Sequence, residues 1–128
     1  MAQSPMASIK VKRGEIWAVD FEPQTHKEEP GKRQRPALVL QTDLLNNAGH
    51  ATTIIIPGAT QTRRDKDYFP LRVALVNQPG LPADTDLMID QVRAIANARI
   101  MGSQPLARLT TNHLKQVEAA LRLLLTFQ

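Results

Sequence analysis

"EIWAVDF", Glu15 to Phe21, repeats with a period of two, so that Trp17, Val19 and Phe21 share one face. A two-residue period is the mark of a β-strand, and the rest of the chain is read from it. Toward the C-terminus follows "EPQTHKEEPGKRQR", polar and rich in proline and charge, a long loop of the kind that carries function more often than packing. Pro36 then pins the start of "ALVLQ", a nearly continuous apolar run suited to a central strand. "ATTIIIP" is β-branched and reads as another strand, closed by the turn pair Pro57-Gly58. A second charged loop, "TQTRRDKDY", leads to "FPLRVALV", where Leu71, Val73 and Leu75 alternate with Arg72 and Ala74. The turn cluster "NQPGLPADTD" separates it from "LMIDQVRAI", a further strand or tight strand pair.

The period changes near the end. From Thr111, residues Leu114, Val117, Leu121, Leu124 and Leu125 recur at helical spacing, with Thr110 or Thr111 as N-cap and Lys115, Glu118 and Arg122 outward. Short strands followed by one amphipathic helix predict a mainly β fold, a small bent antiparallel sheet or barrel with a C-terminal helix packed on it.

With 128 residues and no internal repeat or linker, the chain is expected to form one domain, residues 13–128, behind a flexible tail at 1–12. Lys+Arg 16 against Asp+Glu 12 leaves a net charge of +4, which favours a polyanion or an acidic protein as partner. The absence of cysteine removes disulfides and thiolate metal sites and agrees with a cytoplasmic location. "LRLLL" is too short to span a bilayer, and "MAQSPMASIKVKRG" lacks the apolar middle of a signal peptide, so no membrane partner is expected.

The chemistry centres on "GKRQRPALVLQTD", where Lys32, Arg33 and Arg35 crowd before Pro36. A charged loop also serves to keep a strand edge soluble. Arg35 differs from its neighbours, because an arginine fixed between a proline and a buried strand offers the rigid guanidinium that phosphoryl transfer requires. His26, His50 and His113 have no metal-ligand spacing, and no glycine-rich phosphate loop occurs, so neither metal nor cofactor is expected. Aromatic residues at 4% are too few for a base-stacking platform.

"RGEIWAVDFEP", a charged loop, "RPALVLQ", "TIIIP", "DQVRAI" and the closing helix, in that order, resemble the MazF/PemK family of toxins from bacterial toxin–antitoxin pairs, from about Val11 to the end. The resemblance implies a CcdB-like, SH3-like small barrel, a homodimer, and a metal-independent, sequence-specific endoribonuclease. Such an mRNA interferase cuts single-stranded RNA to 2′,3′-cyclic phosphate and 5′-hydroxyl ends and is neutralised by an acidic antitoxin protein. Arg35 falls on the family's catalytic arginine. The family threonine usually stands two residues after the proline; Ala59 holds that place here, and Thr60 is assigned instead, since a loop shifts by one position more cheaply than a strand.

Asp90 matches the proposed base of the PemK-like branch, although the arginine that should precede it by two is Met88. Glu29 matches the acidic residue of the MazF-like first loop, and His26, one residue off the PemK-like histidine, is a secondary candidate. Lys32, Arg33, Arg63, Arg64 and Lys66 are expected to hold the RNA backbone, and Gln61 to read bases. Two other classes compete. A gyrase poison on the same fold is disfavoured, since such relatives resemble one another in a Trp-Gly-Ile ending and this chain stops at "LLTFQ". A non-catalytic SH3-like module needs an aromatic groove that one Trp, one Tyr and three Phe poorly furnish.

Overall fold

A computed structural model describes residues 10–21, 34–60 and 71–127. Within them the "EIWAVDF" strand is β1, Glu15–Asp20, and it lies deep in the fold rather than at its surface. Trp17 and Val19 enter one core cluster with Ala37, Val39, Ile55, Ile95 and Ile100, against which Phe21 packs. Ile16, on the other face, enters a second cluster with Leu38, Ile56, Leu75, Leu87 and Ile89. Both faces of β1 are therefore covered, where the sequence marked only one.

β2 (Gln34–Val39) pairs with β1 and with β3 (Thr52–Thr60), and all pairings are antiparallel. β4 (Arg72–Leu75) and β5 (Thr85–Met88) extend the sheet beyond β3. β6 (Arg93–Ala96) also pairs with β3, while the two-residue strands β7 (Ile100–Met101) and β8 (Ala107–Arg108) pair with β1. The order is β4-β5-β3-β2-β1-β7, and the sheet curls into a half-barrel. "LMIDQVRAI" is thus two strands, the end of β5 and β6, joined through a 3₁₀ turn at Ile89–Gln91; they pair with β3 rather than with each other.

The curl is made at Pro57-Gly58. These residues do not close β3, as expected from their turn chemistry, but lie inside it. Before them, Thr52 to Ile55 pair with β6; from Gly58 to Thr60 the same strand pairs with β5. Gly58 is required by crowding: a Cβ there would stand 2.7 Å from Thr85 Cγ2. On the other edge the β2–β3 ladder ends at Ala37↔Pro57. Pro36, next in β2, has no N–H with which to continue it. The strands stay close beyond that point, since the Pro36 carbonyl oxygen lies 3.4 Å from the place of a Gly58 Cβ.

Two helices complete the described fold. α1, Asp43–Asn47, was not anticipated; it is one short turn of helix capped by Thr42, whose Oγ1 accepts from Leu44 N–H. It persists because Asn46 is buried and bonded to Gln41. α2, Thr111–Leu125, follows the expected period, with Thr110 as cap accepting from His113 N–H at 3.1 Å. Val117 and Ala120 enter the second cluster, flanked by Leu114, Leu121 and Leu124, whereas Leu125 faces outward. Arg13 ties the parts together: its N–H donates to Asp43, its Nε to the Leu40 carbonyl and its guanidinium to Glu118 of α2. Among the described residues no helix is long and apolar enough to cross a membrane.

Candidate active site at the ends of β2 and β3

A cavity of about 260 Å³ opens where β2 begins and β3 ends, and Arg35 and Thr60 both line it. Its floor is Ala18 of β1 with Gln34 and Pro36 of β2, and its far wall is Leu81, Pro82 and Ala83 with Leu106. That wall is set by Gly80, which has φ +98° and approaches the chain so closely that a Cβ would run into the Leu106 carbonyl oxygen. Asn77, also at positive φ, takes up the other end of the turn, its N–H donating to Asp84 Oδ1 at 3.0 Å. The turn cluster read from sequence is therefore a wall of the site.

Arg35 is exposed, and its Cα partner in β1 is Val19. Strand alternation places its Cβ on the side of Val19 and Ala37. Thr60 is the last residue of β3, not a loop residue, so the reasoning that a loop shifted its position does not apply. It pairs with Thr85 and shares the face of Gly58 and Ile56, opposite to that of Arg35. Both line one cavity although strand alternation assigns them to opposite faces.

Thr85 and Gln34 were not singled out in the sequence, yet both line the cavity. Thr85 is buried and its hydroxyl donates to the Ala83 carbonyl at 3.1 Å. Gln34 Nε2 approaches Met101 Sδ at 3.5 Å. The signal that marks Thr85 is its register opposite Thr60, a non-local fact hidden inside "PADTD". Asp90 sits exposed in the 3₁₀ turn and is not among the residues lining the cavity. Glu29, His26, Lys32, Arg33, Gln61, Arg63, Arg64 and Lys66 lie outside the described residues. Among the described residues no group of three or more His, Asp or Glu side chains is placed to hold a metal ion.

An arginine and a hydroxyl residue thus line one partly apolar recess. A family model, the PemK-like, MazF-like toxin of type II toxin–antitoxin systems, matches residues 12–125. The chain belongs to this family. Among its relatives, endoribonuclease MazF9 of Mycobacterium tuberculosis is 31% identical over 118 residues, 88% of this chain and 94% of that protein. Endoribonuclease EndoA of Bacillus subtilis is 28% identical over 114 residues, 88% of this chain and 92% of that one. The fold agrees as well: MazF from a MazE–MazF crystal structure of Deinococcus radiodurans superimposes with a TM-score of 0.74 at 23% identity, covering 93% and 98% of the two chains. The curled half-barrel with its C-terminal helix is the family's architecture.

Proposed function

We propose that this chain is the toxin of a type II toxin–antitoxin pair, a cytoplasmic, metal-independent endoribonuclease of single-stranded RNA built as one domain over residues 13–128. What carries the reading is the meeting of Arg35 and Thr60 at one cavity, in a chain that two endoribonucleases match over 88% of its length. In the reaction the ribose 2′-oxygen forms a bond to phosphorus while the bond from phosphorus to the 5′-oxygen breaks. The products are a 2′,3′-cyclic phosphate and a 5′-hydroxyl. Negative charge grows on the non-bridging oxygens, and the Arg35 guanidinium, with its fixed fork of N–H donors, stabilises it. The Thr60 hydroxyl donates to the same phosphate. The 2′-OH proton goes to a first-loop acceptor, Glu29 with His26 as the second candidate, and the leaving oxygen takes a proton in turn. Asp90, outside the cavity wall, orients Arg35 or contacts bound RNA. Lys32, Arg33, Arg63, Arg64 and Lys66 neutralise phosphates along the strand, and Gln61 contacts bases.

The partners follow from the same reading. An acidic antitoxin segment suits a chain of net charge +4, and a homodimer joins two copies of the fold. The deciding experiment is incubation with a long single-stranded RNA in EDTA, with both ends of every fragment mapped. Cleavage should persist and leave 2′,3′-cyclic phosphate and 5′-hydroxyl ends. Loss of cleavage in EDTA with recovery on adding Mg²⁺ would overturn the metal-independent route.

A further inference from the structure

Asp86, in the middle of β5, is 4% exposed, and no hydrogen bond or ion pair joins its carboxylate to a described residue. A buried carboxylate without a partner costs stability, so its presence needs a reason outside the packing. The sheet register points to one. Asp86 pairs with Ala59 of β3 and with Ala74 of β4. The β2–β3 register, Ala37↔Pro57, carried two residues further, puts Arg35 opposite Ala59. The approach of the Pro36 carbonyl to Gly58 keeps that alignment through the intervening pair.

Extended in this way, the register aligns Arg35 with the observed Ala59↔Asp86 pair as one cross-strand row, whose members share a face. The two charged residues stand two strand spacings apart, roughly 10 Å between Cα atoms, which a long arginine and a carboxylate bridge together. Along that row the residue between them is Ala59, with a single methyl group, and Ala74 on the far side is equally small.

We propose that Asp86 is a positioning residue for Arg35: its carboxylate receives the guanidinium across Ala59 when RNA is bound and aims the remaining N–H donors at the scissile phosphate. This rests on the phosphate-stabilising role given to Arg35 above. An unanchored arginine side chain must freeze several rotors at each turnover, and a carboxylate on its own row removes part of that cost in advance. The unpartnered burial of Asp86 is then a stability cost kept for the site.

The test uses the full chain, wild type and Arg35→Ala, Asp86→Asn, Asp86→Leu and Asp86→Glu, with cleavage kinetics and thermal unfolding measured for each. Asp86→Asn should lower kcat on the order of 10-fold to 10²-fold with KM little changed. Asp86→Glu should recover most of that loss. Asp86→Leu should raise Tm by a few degrees while lowering kcat, since it removes an unpaired buried charge. In the Arg35→Ala background, Asp86→Asn should cost nothing further. Cleavage abolished by Arg35→Ala but unchanged in Asp86→Asn overturns the role of Asp86 alone, as does a fall of Tm in both Asp86→Asn and Asp86→Leu. Wild-type cleavage that Arg35→Ala leaves untouched overturns the role of Arg35 and that of Asp86 with it.

Discussion

Arg35 sits at the second position of a strand, before a proline and opposite Val19, so its backbone has little freedom even though its side chain is exposed. Arg35→Ala should lose on the order of 10²-fold or more in cleavage rate, as when an electrostatic stabiliser of a transition state is removed, with thermal unfolding unchanged. Arg33→Ala, on the proposal that Arg33 holds the RNA backbone, should weaken RNA binding and flatten its salt dependence; equal small effects from both would return the cluster to a merely solubilising role. A different residue contributes to acid stability. The Arg13 N–H at 2.8 Å, then the Asn46 amide at 3.0 Å, hold the Asp43 carboxyl below its ordinary 3.8. A carboxyl depressed in the folded state stabilises above its unfolded value, and that stability drains away as pH falls through the lower folded value. Tm should therefore fall more steeply for wild type than for Asp43→Asn between roughly pH 5 and pH 2.

β3 is the element on which the site depends. It carries Thr60 at its end, changes partner from β6 to β5 along one edge, and does so at a glycine that faces the Thr85 methyl. Thr85 is buried and β-branched, so its side chain has little room to turn away. Gly58→Ala should destabilise the fold by about 1–3 kcal/mol, the usual cost of an overpacked methyl, and lower cleavage because Thr85 lines the cavity. Thr85→Ser in the same chain removes the obstructing methyl and should restore most of the urea midpoint. An unaltered midpoint in Gly58→Ala alone would mean that β3 and β5 part easily. The sequence had this strand but not its continuation: Pro57-Gly58 has the local chemistry of a turn, and only the demand of β5 for a neighbour draws the chain onward as strand. α1 was missed for a related reason, being too short to show a period and held by Gln41 and Thr42 outside its own span.

At the scale of the molecule, the described residues bury two apolar clusters and still expose Leu123, Leu125 and Phe127 near the end of α2, at 57%, 46% and 65%. Leu44 and Val76 are exposed as well. Apolar surface of this kind suits a twofold dimer, and sedimentation of the free protein at micromolar concentration should give twice the chain mass. A monomer there removes the dimer from the reading. An acidic antitoxin tail is expected to cover the groove that holds Arg35, so labelled RNA and the tail should displace one another. A ternary complex that cleaves at the uninhibited rate would place the tail elsewhere.

What the sequence determined by itself is what repeats locally. The two-residue period of β1 and the helical period of α2 are set by neighbours along the chain and are legible there, the helix down to a cap at one of two threonines, of which the structure uses Thr110. The order of motifs around Arg35 and Asp90 likewise identified the family. Tertiary structure decided everything that depends on which strand lies beside which. Thr85 pairs with Thr60, Asp86 pairs with Ala59, and a turn beginning at Asn77 becomes the wall of a cavity. The physical reason is that alternation fixes a side chain's face only relative to its own strand. The partner and the register come from long-range pairing, here redirected by two prolines that cannot donate and by one glycine that lets β5 approach.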